Sequence, residues 1–365
     1  MGTDPTRQIL DEYRSKLQLN EEFGGMLERL IRDLLRAAGI KVHSVEHRIK
    51  EEPSLARKLS GRAYGRLADV TDVCGVRIVT YFADDVDKVA AVIETEFSID
   101  RANSVDKRTA MDPHQFGYLS VHYIVSLGPT RASLTEYSSV EKCVAEVQIR
   151  SVLQHAWAEI EHDLGYKSAS GVPRDAIRQF SRMAGLLEVA DDGFVELRQR
   201  LSAYQGEVNA KIGDKPNELL IDAVSLKALI ESDGNIQKAD ELINVSFNNR
   251  IGVMSIELIA PHAAAASVLG FRTIGELNAG FQRNMPRTVQ FASAHLKAHA
   301  KALGVPTQVM ARGTSILSFL VLTAMEKSGI GLLEKAYPDW KQQPVESYKR
   351  ILGTIQEGFD SLKSQ

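Results

Sequence analysis

The sequence predicts an α+β fold over its first half and a mostly helical module behind it. Three observations lead there. Gly117–Tyr123 and Ala145–Arg150 alternate polar and apolar side chains at the period of a half-buried strand. The run from Gly75 to Phe82 is apolar and β-branched. Beyond residue 208 apolar residues recur mostly at helical spacing.

Residues 5–38 read as one or two amphipathic helices, with Leu27, Leu30, Ile31, Leu34 and Leu35 on one face. Residues 40–49 alternate like a strand, and a short helix follows Pro53, whose missing N–H costs little at a helix start. Gly75–Phe82 is a strand, and the next helix opens with acidic residues that suit its positive end. Further strands cover residues 119–127 and 142–150, with a loop before them. The helix over 151–164 carries an apolar stripe of Leu153, Trp157, Ile160 and Leu164, and a polar stripe of His155, Glu159 and His162. A long helix spans 173–208. The polar stretch 206–218, with two glycines and a proline, reads as a linker. This gives two domains, 1–208 with its core at about 40–170, and 209–365. In the second, residues 224–230 and the apolar run 316–325 read as helices, and 250–260 as a strand or a buried helix segment.

The bulk numbers narrow the class. A formal net charge of −3 advertises no global nucleic-acid surface. The two cysteines, Cys74 and Cys143, fit neither a disulfide framework nor zinc spacing. The first residues lack the apolar segment of a signal peptide, and no apolar run is long enough to span a membrane. A soluble cytoplasmic protein with no membrane partner is the expectation.

Chemistry concentrates in the first domain. In the two alternating strands, Tyr118, Ser120 and His122 share one face, and Glu146, Gln148 and Arg150 share another, while Ala145, Val147 and Ile149 point into a core. Asp72 and Glu146, brought to one sheet edge, offer hard oxygen ligands for Mg²⁺, which keeps several waters and binds substrate phosphates. Arg48, Lys50, Arg57, Lys58, Lys107 and Arg108 supply cations that suit a polyphosphate. Tyr118 follows Gly117, which lets a base approach the ring for stacking. Singly these residues have blander readings: Asp72 as a turn or cap, the cations as a solvated face, Tyr118 as a strand aromatic. His155, Glu159 and His162 are read as packing and hydrogen-bonding groups rather than metal ligands.

In this order the residues resemble the RelA/SpoT-type alarmone synthetases. The resemblance covers roughly residues 40–170 and rests on Arg48-x-Lys50, Ser54 with Lys58, Asp72–Ile78, Gly117–His122, and Glu146–His162 followed by Tyr166-Lys167. It implies a nucleotidyltransferase-like mixed β-sheet flanked by helices and an ATP-dependent pyrophosphokinase. By that similarity Arg48, Lys50, Ser54 and Lys58 bind ATP, and Asp72 and Glu146 are catalytic and hold Mg²⁺. Lys107, His114, Phe116, Gly117 and Tyr118 contact the acceptor. Arg77, His122, Gln148 and Arg150 support the site.

The acceptor loop departs from the family pattern. His114 stands where the family has a lysine, and Phe116 where it has an asparagine able to read a guanine edge. A neutral imidazole neutralises less phosphate charge than a lysine. The departures point to the 3′ end of tRNA as acceptor, as in the toxic branch of small alarmone synthetases, with Phe116 adding stacking. The alternative is GDP or GTP, giving (p)ppGpp in the stringent response; a catalytically silent binding protein is a second alternative. Bifunctional relatives carry a hydrolase domain ahead of the synthetase. The residues before this module lack a histidine–aspartate set, so no hydrolysis is expected. The C-terminal module is read as regulatory or antitoxin-like, or as an oligomerisation extension. A homo-oligomer and a ligand or protein trigger acting on that module complete the partners this reading leaves open.

Overall fold

The N-terminal helix α1 (Pro5–Ala37) sets the first core. Phe23, Leu27, Ile31 and Leu35 recur every four residues, so one ridge faces inward, and all four are at most 1% exposed. Each such burial contributes about 1.5–3 kcal/mol. Leu30 and Leu34, read from sequence as part of the same face, are only half-buried beside it. The chain is described by a computed structural model for residues 5–61, 64–106, 120–164, 173–245, 247, 249–304 and 309–363.

After α1 come β1 (Val42–Ile49), α2 (Glu52–Gly61), β2 (Cys74–Thr80) and α3 (Asp85–Glu96). Then follow β3 (Phe97–Ile99), β4 (Val105–Asp106), β5 (Val121–Leu127), a single turn α4 (Pro129–Ala132), β6 (Ala145–Ser151), α5 (Val152–Asp163) and α6 (Arg174–Lys211). The strands form a mixed sheet in the order β1-β2-β6-β5-β3, with β4 also pairing β5. Only the β2–β6 pair is parallel among these; the others are antiparallel. One face is apolar: Val76, Ile78, Ala145, Val147 and Ile149 pack with the α1 ridge and with Val86, Val89 and Ile93 of α3. The alternation read from the sequence thus becomes a sheet with a core face and a polar face.

Helix α5 begins at Ser151, whose Oγ accepts from Gln154 N at 3.1 Å while Gln154 Oε1 accepts from Ser151 N at 2.9 Å, a reciprocal cap. Its expected apolar stripe is only partly covered. Trp157 is buried and meets the Phe180 ring of α6 edge-on at 5.1 Å, whereas Ile160 and Leu164 are exposed. That one aromatic contact reaches the indole and leaves the following turn of the stripe outside it.

The chain forms two compact units, residues 1–199 and 200–365. The stretch 206–218 is not a free linker: α6 runs through Lys211, so its first six residues are helix. Gly206 costs the helix about 1 kcal/mol relative to alanine, too little to break one so long.

The second unit contains α7 (Ala223–Ser232), α8 (Gly234–Asn244), β7 (Arg250–Gly252), α9 (Ile256–Val268), α10 (Ile274–Leu303), β8 (Val309–Ala311), α11 (Thr314–Ser328), α12 (Ile330–Ala336) and α13 (Val345–Ser361). Residues 250–260, ambiguous by pattern, are both readings in succession: β7, then the start of α9. The run 316–325 lies in α11 and is apolar on nearly every side because neighbours surround it. Leu269–Leu277 joins α9 to α10 through Gly270, at φ +92°, a region glycine enters without Cβ strain. Leu269, Ile274 and Leu277 are core residues. No helix among the described residues is long and apolar enough to cross a membrane.

Helices α10 and α13 approach closely at Gly358, where an added Cβ would lie 2.9 Å from N, Cα and Cβ of His295. Backbone cannot swing aside as a side-chain tip does. Gly358→Ala is therefore expected to cost about 1–3 kcal/mol despite its better helix propensity. Urea unfolding checks this; an unchanged midpoint would contradict so close a crossing.

Candidate active site

The polar face of the sheet is built by register. Arg48 on β1 lies opposite Gly75 on β2, which lies beside Glu146 on β6. Two residues along, Glu46, Arg77, Gln148 and His122 form the next row across four strands. A cleft of about 80 Å³ opens here, lined by Arg48, Asp72, Gly75, Arg77, Glu146 and Gln148 among others. That volume accommodates several waters or a hydrated cation.

Asp72 sits just ahead of β2 and receives two lysines. Lys50 Nζ lies 3.0 Å from its Oδ2 and Lys58 Nζ 2.8 Å from its Oδ1. The chain past β1 is fixed by Lys50 N donating to Val73 O at 2.9 Å and by Tyr13 Oη donating to Lys50 O at 2.7 Å. Lys58 is aimed by α2, whose Leu55 and Leu59 are buried against Ile9, Tyr13, Val70 and Val73. Burial alone would raise the Asp72 pKa, but the hydrogen bonds from Lys58 and Lys50 outweigh it and hold the carboxyl below its ordinary value.

Glu146 is held from two sides. His122 Nδ1 lies 2.7 Å from Oε1, and Gln148 Nε2 donates to Oε2 at 3.0 Å. Arg150 Nη2 in turn donates to Gln148 Oε1 at 2.9 Å, which fixes the amide orientation. Burial pushes the Glu146 carboxyl up and Asp72 repels its charge, yet His122 and Gln148 hold it below its ordinary value. Both carboxyls are therefore ionised at neutral pH.

Arg77 Nη1 pairs with Glu159 Oε1 of α5 at 3.0 Å, and His155 Nδ1 lies 3.6 Å from the same oxygen. Burial lowers the His155 pKa, and the charges of Arg150 and Arg77 lower it further. Ser54 on α2 accepts from Arg57 Nη2 at 3.3 Å. Asp72, Glu146, Lys50, Lys58, Arg48, Arg77, His122, Gln148 and Arg150 thus come together. The acceptor residues Lys107, His114, Phe116, Gly117 and Tyr118 lie outside the described residues. Sequence reading missed Glu159 as the partner of Arg77, and Tyr13 as the pin beneath Lys50. The first signalled itself only as one member of a helix stripe, and the second carried no motif.

The residues present fit magnesium. Two ionised carboxylates share one cleft and repel each other, a repulsion that a divalent cation relieves. Each carboxylate oxygen keeps a second lone pair beside its lysine, imidazole or amide partner. Among the described residues no cluster of three or more His, Cys, Asp and Glu gathers as a metal cage. A dedicated cage is not needed by an ion that takes one or two carboxylates with water and phosphate oxygens.

The ion pairs give a pH test. Asp72 has its folded pKa depressed, so its stabilising contribution is present above the unfolded carboxylate value, about 3.9, and is lost as pH falls through the folded value. Lys58→Ala is expected to lower stability by up to about 1 kcal/mol at pH 7, because Lys58 is one-third exposed. The difference from the parent protein should shrink below pH of about 4 in urea unfolding. A difference that grows on acidification would contradict the pair.

Residues 47–171 match the family described as the region found in RelA / SpoT proteins, from within β1 to beyond α5. Residues 47–171 therefore carry a RelA/SpoT-type synthetase region, and the chain is a pyrophosphokinase. Among curated proteins it is similar to the GTP pyrophosphokinase YjbM of Bacillus subtilis, 27% identical over 175 residues, 47% of this chain and 78% of that protein. It is also similar to the GTP pyrophosphokinase YwaC of the same organism, 25% identical over 132 residues, 36% of this chain and 60% of that protein. Among solved structures, small alarmone synthetase 1 from Bacillus subtilis aligns over 53% of this chain and 99% of that one, with 21% identity and a TM-score of 0.44. A GTP pyrophosphokinase family protein from Streptococcus pneumoniae aligns over 53% of this chain and 96% of that one, with 25% identity and a TM-score of 0.44.

Proposed function

We propose that this protein transfers the β,γ-pyrophosphate of ATP to a ribose hydroxyl of a nucleotide-type acceptor, in a magnesium-dependent reaction. The observation that carries this is the ionised pair Asp72 and Glu146 in one cleft, with Lys50 and Lys58 on the Asp72 side and Arg48 at the edge. Magnesium, held by the two carboxylates, would supply positive charge against the phosphate oxygens. Arg48, Lys50, Lys58 and Ser54 bind the triphosphate and orient it for in-line displacement. The acceptor oxygen forms a bond to the β-phosphorus as the bond from that phosphorus to the α,β-bridging oxygen breaks, and AMP leaves. The hydroxyl proton passes to Glu146, which is ionised and kept in place by His122 and Gln148. Arg150 holds Gln148, and Arg77 is held by Glu159, so both act on the site through their neighbours.

For the acceptor, His114 and Phe116 favour the 3′ end of tRNA, where stacking replaces phosphate neutralisation. In that reading the enzyme inhibits translation and the C-terminal unit restrains it. Shortening the chain after residue 210 should then raise activity and slow growth; unchanged values would count against restraint. A second reading, GDP or GTP as acceptor, is favoured by the naming of both curated relatives as GTP pyrophosphokinases. Incubation with γ-labelled ATP and a panel of deacylated tRNA, GDP, GTP, ADP and ATP separates them. Label in tRNA is the expected result. Label only in a guanosine tetra- or pentaphosphate would replace the first reading with the second, and label in none would remove both.

A further inference from the structure

The second unit holds a cavity of about 360 Å³ bounded by α9, α10, α11, α13 and the turn carrying Trp340. Small-molecule sites span roughly 300–1,000 Å³, lined mainly by apolar groups with a few placed polar ones. The wall here has that composition. Leu317, Val321 and Ile355 supply its aliphatic part, and Trp340, His262 and His295 supply rings. Among the described residues, no Lys, Arg, Asp or Glu lines it.

The polar groups have assignable roles. The Tyr337 phenol is 2% exposed, and burial keeps it protonated. Its oxygen lies 2.8 Å from His262 Nδ1. A buried phenolic proton needs an acceptor, and Nδ1 fills that role, so His262 carries its own proton on Nε2. Burial also depresses the pKa of His262 and of His295 to about 4, so both rings are neutral at pH 7. His299 Nδ1 is buried without a hydrogen-bond partner among the described residues. The lining thus offers the Nε2–H donor of His262, the hydroxyls of Thr314 and Ser318, and one unanswered imidazole nitrogen.

We propose that this cavity binds a small uncharged molecule with an aromatic or aliphatic body and one hydrogen-bond acceptor, a carbonyl, ether or hydroxyl oxygen. A charged ligand would enter a wall with no countercharge and lose its hydration there. An apolar body matches the wall, and its oxygen matches the His262 Nε2–H. Trp340 stacks on Tyr337 at 4.4 Å and so sits beside the bonded pair, where its fluorescence reports occupancy.

The test is a titration of the full chain with three probes of similar size, followed by calorimetry and by Trp340 fluorescence. Acetophenone has the acceptor, ethylbenzene lacks it, and benzoate adds a charge. Saturable one-to-one binding of acetophenone is expected, with ethylbenzene about two- to tenfold weaker and benzoate without measurable binding. Ile351→Trp, which fills the cavity from α13, should abolish acetophenone binding while the circular dichroism spectrum and pyrophosphate transfer persist. Acetophenone failing to saturate the unmodified chain would overturn the site, whatever the variant does. Binding undiminished in Ile351→Trp, or benzoate binding most tightly, would overturn it as well. Equal binding of ethylbenzene would remove the assigned acceptor.

Discussion

Replacing Glu146 with glutamine is expected to abolish pyrophosphate transfer to every acceptor, with kcat falling about 10²–10⁴-fold, the usual contribution of a positioned general base. The substitution preserves volume and removes both the charge and the basic oxygen pair. It also disturbs the local hydrogen bonding. Oε1 and Oε2 each accept a hydrogen bond from a neighbour, His122 Nδ1 and Gln148 Nε2, and an amide accepts at only one of its two heads. The KM for ATP should change little, because Lys50 and Lys58 lie on the Asp72 side. Steady-state kinetics with labelled ATP measures this. Transfer retained within tenfold of the parent would show that Glu146 carries neither the metal nor the proton.

Asp72→Asn should fail differently. Lys50 is 14% exposed at its side chain and Lys58 33%, so both cations lose their countercharge in a partly dry place. The amide accepts from one lysine and turns its N–H₂ toward the other. Solvent reaches the pair, so the stability loss should be about 1–2 kcal/mol, below that of a fully buried pair. Activity should fall about 10²–10³-fold, the range for losing one preorganised electrostatic partner. The magnesium concentration for half-maximal rate should rise, which a merely structural aspartate would not produce. A folded variant with unchanged rate and unchanged magnesium dependence would remove Asp72 from the site.

Much of this candidate site is legible in the sequence alone. The alternation over Ala145–Arg150 assigned Glu146, Gln148 and Arg150 to one face, and β6 presents them so, because a strand's side-chain period of two is a local property. The same logic oriented Val147 and Ile149 inward. Helical periodicity located α1, and an acidic first turn marked α3, again through neighbours in sequence. Local pattern failed where the outcome depended on a distant partner. Ile160 and Leu164 continue an apolar stripe by spacing but are exposed, because coverage is decided by what packs against a helix and not by the helix. The stretch 206–211 reads as a linker by composition yet continues α6, because its Val208 is fully buried in the core of the second unit.

By itself the sequence determined the strand faces and the helix positions, properties of short segments with their own periods, and it supplied the residue types of the candidate site. Only the tertiary structure decided which of these residues meet. Asp72 and Glu146 are 74 positions apart and share a cleft because β2 and β6 pair in parallel, a long-range register no local period encodes. The same holds for Lys50 and Lys58 on Asp72, for His122 on Glu146, and for Glu159 on Arg77. The histidine-lined cavity of the second unit is the extreme case. Its walls come from four helices and the Trp340 turn, and nothing in any one of them announces a hollow.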